Sequence, residues 1–382
     1  MTPVSSHSPL GRSPLRTVQV LGGGNAGSSA HVRSLAAGLV ARGVKVTVCA
    51  PAEAERTYDF TGAGADHAHV PRSSDPVAVA ALRAVCADAD LVHAHGLHAS
   101  FRAVLALGGR RARTPLVVTW HDRAHAEGAQ ARLVRVLERR VMRAAGVVLG
   151  ATSDLVDRAR LTGARDARLG PVALPGRPRP AAAPDDPDLL RAKTRAELGA
   201  VGRPLLIAVG SLDPHRGYDV LLDAARAWRL LDPAPLVVVA GEGPLRGELQ
   251  RRIEDEELPV ALIGRRDDVT DLLAAADLAL LPSLREAGRS VLAQEALHAR
   301  VPLVASATGG IPELVGDGAE LVPRGDAEAL AEAVSGLLGD PARREALRDR
   351  GTRQAATWPT EDETVAQVLS VYDELTRPLP FL

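Results

Sequence analysis

The most constraining feature of this chain is an alternation of short, β-branched apolar runs with longer helical patterns, in two series interrupted by proline. The first series has runs at 17–21 (TVQVL), 44–49, 91–95, 116–120 and 147–150, with helical stretches near 28–42, 76–88, 129–145 and 154–162. The runs are apolar along most of their length rather than at alternate positions, so both faces of each strand are expected to be buried. Strands of that kind, each followed by a helix, build a parallel sheet covered on both sides. Six of the eighteen residues 171–188 are proline. Proline lacks a donor and blocks helix continuation, so 175–188 reads as a linker. The alternation then resumes with strands at 205–209, 236–240, 260–263, 278–281 and 303–305. Helices are expected at 217–230, 244–257, 268–276, 289–299 and 326–338, and then, beyond Pro341, at 342–356 and 361–376.

The 382 residues suffice for two domains. The expected fold is α/β, with two Rossmann-like doubly wound domains at 17–174 and 189–360 facing across a cleft. A disordered tail, 1–16, precedes them, and 361–382 follows. A composition of 46% hydrophobic and 24% charged residues supports large cores and excludes wholesale disorder. Net charge is -1, from 46 basic and 47 acidic residues, so nothing pulls the whole chain toward nucleic acid. Cys49 and Cys86 are the only cysteines, too few for a disulfide framework or a cysteine zinc site, and they suit a reducing compartment. No run of eighteen apolar residues occurs and 1–16 has no apolar core, so neither a membrane span nor a signal peptide is expected, and the location is expected to be cytoplasmic.

Several motifs carry chemistry. Gly22, Gly24 and Gly27 form G-x-G-x-x-G between a strand and a helix. The pattern fits a tight turn, a dinucleotide site, or amides at a helix start that meet a phosphate or sugar. The second strand ends without the acid a ribose would need. His93, His95 and His98 gather at the third strand's end, and His121 and His125 after the fourth. Metal ligation, polar lining and substrate contact all remain open for them, with His121 the best single candidate for contact. In the second half, Gly210-Ser211-Leu212-Asp213-Pro214-His215-Arg216-Gly217 sets an arginine at a helix start, a design suited to a diphosphate. Glu286 ends a strand loop, and Glu295 lies in the helix that follows. One carboxylate on a loop and one on the helix it opens can grip different hydroxyls of one ligand. The stretch 129–145 carries Arg132, Arg135, Arg139 and Arg143 on one face, with Arg140 adjacent, and Leu133, Leu137, Val141 and Ala144 on another. It reads as a solvated basic face over a core-facing stripe, or as a docking face for anionic lipid.

These pieces resemble the family-4 glycosyltransferases, retaining enzymes of the GT-B fold that use nucleotide sugars; the composition is of the actinobacterial kind. The specific matches are 209–225, 240–249, 282–297, 301–315 and 323–326, with 22–48, 91–96 and 117–122 agreeing more weakly. The resemblance implies that Glu286 contacts the donor sugar, that Gly288, Arg289 and Ser290 lie by sugar and diphosphate, and that Glu295 holds the ribose. It places Gly210, Ser211 and Arg216 at the diphosphate, Arg265 at the base, Gly27 by the phosphates and His121 on the sugar. Asn25, His95 and His98 are the candidate acceptor contacts. Two departures stand out. Ser211 occupies a position where the family has arginine, and one residue is inserted between Glu286 and Glu295; Arg289, inside the insertion, is the candidate replacement cation. The implied activity is hexosyl transfer from a nucleotide-diphosphate sugar, metal-independent and without a further cofactor, to an acceptor that includes lipid-linked candidates. The helix 361–376 is expected to cross back to the first domain. An epimerase-like enzyme of the same fold and a non-catalytic sugar-nucleotide-binding protein are the alternatives.

Overall fold

The computed structural model describes residues 13–22, 26–71, 75–108, 114–121, 128–170, 172–173, 186–285 and 290–376. The chain forms two compact units. Unit 1 comprises Met1–Ala151, Leu155–Pro175 and Pro359–Leu382; unit 2 comprises Thr152–Asp154 and Gly176–Trp358.

The first run of elements is β1 (Arg16–Leu21), α1 (Ala26–Ala41), β2 (Lys45–Ala50), α2 (Ala52–Tyr58), β3 (Asp66–His69), α3 (Pro76–Cys86), β4 (Leu91–His95), α4 (Leu97–Ala106), β5 (Leu116–Trp120), α5 (Gly128–Ala144), β6 (Val147–Gly150), α6 (Ser153–Thr162) and β7 (Ala167–Leu169). All seven strands are parallel, in the order β3-β2-β1-β4-β5-β6-β7. β4 and β5 are buried at every position, which is why they read as continuous apolar runs. One face packs Val92, Val118 and Trp120 against α4 and α5, and the other packs Val46 and Leu91 against α1.

The second run is α7 (Pro187–Glu197), β8 (Leu205–Val209), a 3-10 turn at Pro214–Arg216, α8 (Tyr218–Trp228), β9 (Leu236–Ala240), α9 (Arg246–Asp255), β10 (Val260–Gly264), α10 (Val269–Ala275), β11 (Leu278–Leu281), α11 (Val291–His298), β12 (Leu303–Ser306), α12 (Ile311–Val315), β13 (Glu320–Val322), α13 (Ala327–Gly339) and α14 (Pro341–Ala355). The six strands are parallel in the order β10-β9-β8-β11-β12-β13, the same winding as in unit 1. In each sheet the order reverses beside the first strand, at β1/β4 and β8/β11, where doubly wound sheets place ligands beyond the strands' carboxyl ends.

The last helix, α15 (Glu361–Thr376), belongs to unit 1. Val365, Val368, Val371 and Tyr372 pack with Val32, Leu35 and Leu39 of α1. A Cβ on Gly38 of α1 would stand 2.5 Å from Val365 Cγ2, so glycine lets the two helices approach. Arg42 with Asp362 (3.0 Å) and Arg168 with Glu374 (2.7 Å) tie α15 down at both ends.

Three expectations are corrected. The linker 175–188 overruns, because Pro187 and Asp188 open α7. Asp186 caps that helix by accepting from the Asp188 and Leu189 amides, and proline suits a first helical position, where no N–H bond is lost. The short helix α4 begins two residues after β4, so His98 stands on a helix. Leu133 does not join the core stripe of α5: it is 60% exposed, as Val136 is at 59%. The buried line runs through Val134, Leu137, Val141 and Met142, with Leu133 at its outer edge.

Candidate functional site

In unit 2 the loops leaving β8, β9 and β11 are drawn together backbone to backbone. Gly217 has φ +69°, a conformation that strains any side chain, and a Cβ there would lie 2.1 Å from the Pro282 carbonyl oxygen. A Cβ on Gly241 would lie 1.8 Å from the Gly210 oxygen. The Leu284 and Arg285 amides both donate to the His215 carbonyl, at 2.9 and 3.2 Å, and the Leu212 amide donates to Glu242 O at 3.0 Å. The result is a seam of close-set main chain from which α8 starts.

Three candidate residues, Gly210, Ser211 and Arg216, lie on this seam. Gly210 follows β8, and a Cβ on it would be 3.8 Å from Arg216 Nε, so Arg216 lies against it. Ser211 is half-buried beside it. Ser290 caps α11, its hydroxyl accepting from the Ala293 amide at 3.3 Å, and is buried. Glu295 is half-buried on α11, and its neighbour Gln294, wholly buried, donates to Ser290 O. Arg265 stands apart, exposed at the β10 exit and 3.7 Å from Asp267. Glu286, Gly288 and Arg289 lie outside the described residues, as does Asn25 in unit 1. Asp268, at the start of α10, engages Arg266 at 2.8 Å and makes no side-chain bond to that helix's amides.

In unit 1, Gly27 falls in the first turn of α1. At the carboxyl end of the sheet His95 and His121 stack with centroids 5.7 Å apart, while His98 is exposed on α4. Sequence reasoning missed three partners there. His31, from α1, brings its ring within 5.8 Å of His95 and 5.4 Å of His121. Gln19 of β1 presents its carbonyl oxygen to His95 Nε2 (3.0 Å) and its amide nitrogen to the Tyr372 hydroxyl (3.0 Å). Tyr372 in turn meets His93 Nδ1 at 2.7 Å, and His93 Nε2 meets Thr119 Oγ1 at 2.7 Å. Helix α15 therefore supplies the central hydroxyl of this buried network. Burial pushes all four imidazoles down, His93 to about 3 and His121 to about 4, so they are neutral at physiological pH. Arg102 of α4, itself buried, donates to Leu21 O (2.6 Å) and to Pro71 O, fixing the end of β1 where the glycine run begins. A lone arginine in a helix carried no sequence signal for that task.

Residues 26–175 match the model of a glycosyl transferase 4-like domain, and residues 191–354 that of glycosyl transferases group 1. The D-inositol 3-phosphate glycosyltransferase of Salinispora arenicola is 32% identical over 313 residues, 75% of this chain and 68% of that protein. A GDP-mannose-dependent alpha-(1-6)-phosphatidylinositol monomannoside mannosyltransferase of Mycolicibacterium smegmatis is 32% identical over 200 residues, 48% of this chain and 52% of that protein; the chain spans about half the length of this relative. Among solved structures, Anabaena HepE in complex with UDP and glucose superposes with a TM-score of 0.78 at 20% identity, covering 94% of this chain and 100% of that one. At that identity the likeness concerns the fold.

Proposed function

The chain belongs to the family-4, or group 1, glycosyltransferases, and from that membership we propose that it moves a hexose-type sugar from a nucleotide-diphosphate donor to an acceptor hydroxyl. Configuration at the anomeric carbon is retained and no metal sits on the diphosphate. The observation that carries this reading is the seam of unit 2, where Arg216 lies against Gly210 and α8 begins. As the bond to the anomeric carbon breaks, charge builds on the leaving phosphate. A fixed guanidinium and the N–H groups of a helix start stabilise it without reorganising. Glu295 accepts from the ribose hydroxyls and Glu286 from those of the sugar; Arg265 lies by the base, and Gly288, Arg289 and Ser290 by the sugar and diphosphate. In unit 1, Gly27 approaches the phosphates. His121, neutral at working pH, serves the sugar as a hydrogen-bond partner rather than as a general acid. Asn25, His95 and His98 face the acceptor. Attack from the face of departure needs no carboxylate nucleophile, and none is assigned.

A lipid-linked acceptor is part of the proposal. Arg132, Arg135, Arg139, Arg140 and Arg143 are exposed on α5 together with Leu133 and Val136, a combination that suits the inner face of an anionic membrane. No helix among the described residues is long and apolar enough to cross one. The Mycolicibacterium relative is named for a phosphatidylinositol-linked substrate. A thermal-shift screen of UDP-, GDP- and ADP-sugars tests the donor, since a ligand at 100 times its Kd stabilises by about 2.7 kcal/mol. The stabilising donor is then offered with a lipid extract, and labelled sugar is followed into the organic phase. Isomerisation of the donor without acceptor would replace transfer by epimerisation, and absence of any nucleotide-sugar binding would overturn the reading.

A further inference from the structure

The histidines at the carboxyl end of the unit 1 sheet carry an inference of their own. His31 comes from the second turn of α1, His95 from the last position of β4 and His121 from the residue after β5. One nitrogen of each lies within 4.8 Å of the other two. Two ring nitrogens here, His95 Nδ1 and His121 Nε2, are buried and meet no hydrogen-bond partner among the described residues, and His95 as a whole is only 4% exposed. Leaving an imidazole nitrogen dry and unbonded opposes folding unless something accepts its lone pair.

The surroundings favour a lone pair on Nδ1 of His95. Its Nε2 faces the Gln19 carbonyl oxygen, so the ring proton belongs on Nε2, and Gln19 is itself held by Tyr372. Metal-bound histidines are supported in this way, the non-ligating N–H donating to a carbonyl oxygen that fixes tautomer and orientation. His93 is engaged at both nitrogens, by Tyr372 and Thr119, and is thereby excluded. No carboxylate or thiol among the described residues joins the group. Three neutral imidazoles suit borderline divalent ions such as zinc and cobalt, and do not suit magnesium or calcium, which seek oxygen.

We propose that His31, His95 and His121 form a three-imidazole site for a zinc-class divalent ion, with an open fourth position. Tetrahedral ligation asks for nitrogens about 3.3 Å apart. Closing from within 4.8 Å takes small rotations of the His31 and His121 rings. The ion ties α1 and the β5 exit to the end of β4. It also takes nitrogens of His95 and His121, so metal and sugar contacts exclude each other there. The site does not depend on the transfer reading, and its test reads the metal directly.

Untagged, metal-stripped protein is titrated with cobalt(II), whose four-coordinate complexes absorb strongly in the visible. One equivalent should bind with that absorption and be displaced by zinc. His31→Asn, His95→Asn and His121→Asn should each weaken binding at least tenfold and remove the band. Gln19→Leu should weaken it roughly 10- to 100-fold while leaving the stoichiometry at one. His69→Asn, at an exposed histidine on β3, should change nothing. His121 is half-exposed, so its variant keeps the test available if the buried ones fail to fold. Wild-type protein that takes up no cobalt, or folded His95→Asn or His121→Asn protein that binds it as wild type does, would overturn the proposal.

Discussion

Tyr372→Phe tests whether the far end of the chain holds the unit 1 site together. The phenol ring is fully buried, and phenylalanine fills the same space, so packing survives and only the hydroxyl is lost. That hydroxyl has two partners, Gln19 Nε2 at 3.0 Å and His93 Nδ1 at 2.7 Å. Both Gln19 and His93 are fully buried. A buried polar group that loses its partner costs about 1–3 kcal/mol, so the pair implies a loss of about 2–6 kcal/mol. Against a typical stability of about 5–15 kcal/mol that is a large fraction. In a unit of this size it lowers Tm by at least roughly 4 °C. Urea denaturation measures the loss, and hydrogen exchange should place the loosening in β4 and α15. Tyr372→Phe protein within about 0.5 kcal/mol of wild type, with unchanged exchange, would refute the network and with it the support of His95 by Gln19.

Glu295→Ala should weaken free nucleotide and nucleotide sugar alike, whereas Glu286→Ala should spare nucleotide affinity and depress turnover; calorimetry with both ligands separates the roles. Arg216→Ala and Arg289→Ala should each cost about 1.5–3 kcal/mol of donor affinity, and the double variant should depart from additivity by roughly 0.5 kcal/mol or more if both cations share the diphosphate. An Arg289→Ala enzyme with wild-type donor affinity would remove that residue from the site. Replacing Leu133 and Val136 by serine should reduce sedimentation with vesicles containing phosphatidylglycerol, and high salt should reduce it further, as screening of the arginines requires. Transfer activity should survive EDTA and be inhibited by added zinc; loss on chelation with recovery in manganese would contradict a metal-free diphosphate site.

The fold class was legible because the central strands are buried on both faces and advertise it. Val18, Val20 and Leu21 of β1 and every residue of β5 are covered, so their runs stand out from the polar surroundings. The strands that went unread, β3, β7 and β13, are all sheet edges. β3 is Asp-His-Ala-His with no fully buried residue, and an edge strand of that kind has no apolar run to show. Helix α7 was hidden by its own start, since Pro187 belongs equally to a linker and to a first helical turn. Among the candidate residues, the nearness of Gly210 and Arg216 was visible because one short loop between β8 and α8 carries both. His31 was not, because it reaches His95 from another element across sixty residues of chain. Nor does anything near Tyr372 in sequence mark its hydroxyl as the bridge between Gln19 and His93.

The two sheets wind identically, yet their switch points solve different problems. At β8/β11 the chain removes side chains, so that main chain can approach main chain and Arg216 can lie against Gly210 just before α8 begins. Glycine there is a requirement of distance, since a Cβ on Gly217 or Gly241 would overlap a main-chain carbonyl oxygen. At β1/β4 the chain does the reverse and crowds in imidazoles, then spends a returning helix on fixing their protons. Imidazoles held neutral by burial are poor at stabilising an anion, but a ring nitrogen without a partner among the described residues, such as His95 Nδ1, is good at donating a lone pair. The histidine network of unit 1 depends on α15, so substitutions along that helix's buried face at Val365, Val368 or Tyr372 should speed hydrogen exchange in β4 while leaving exchange in unit 2 unchanged.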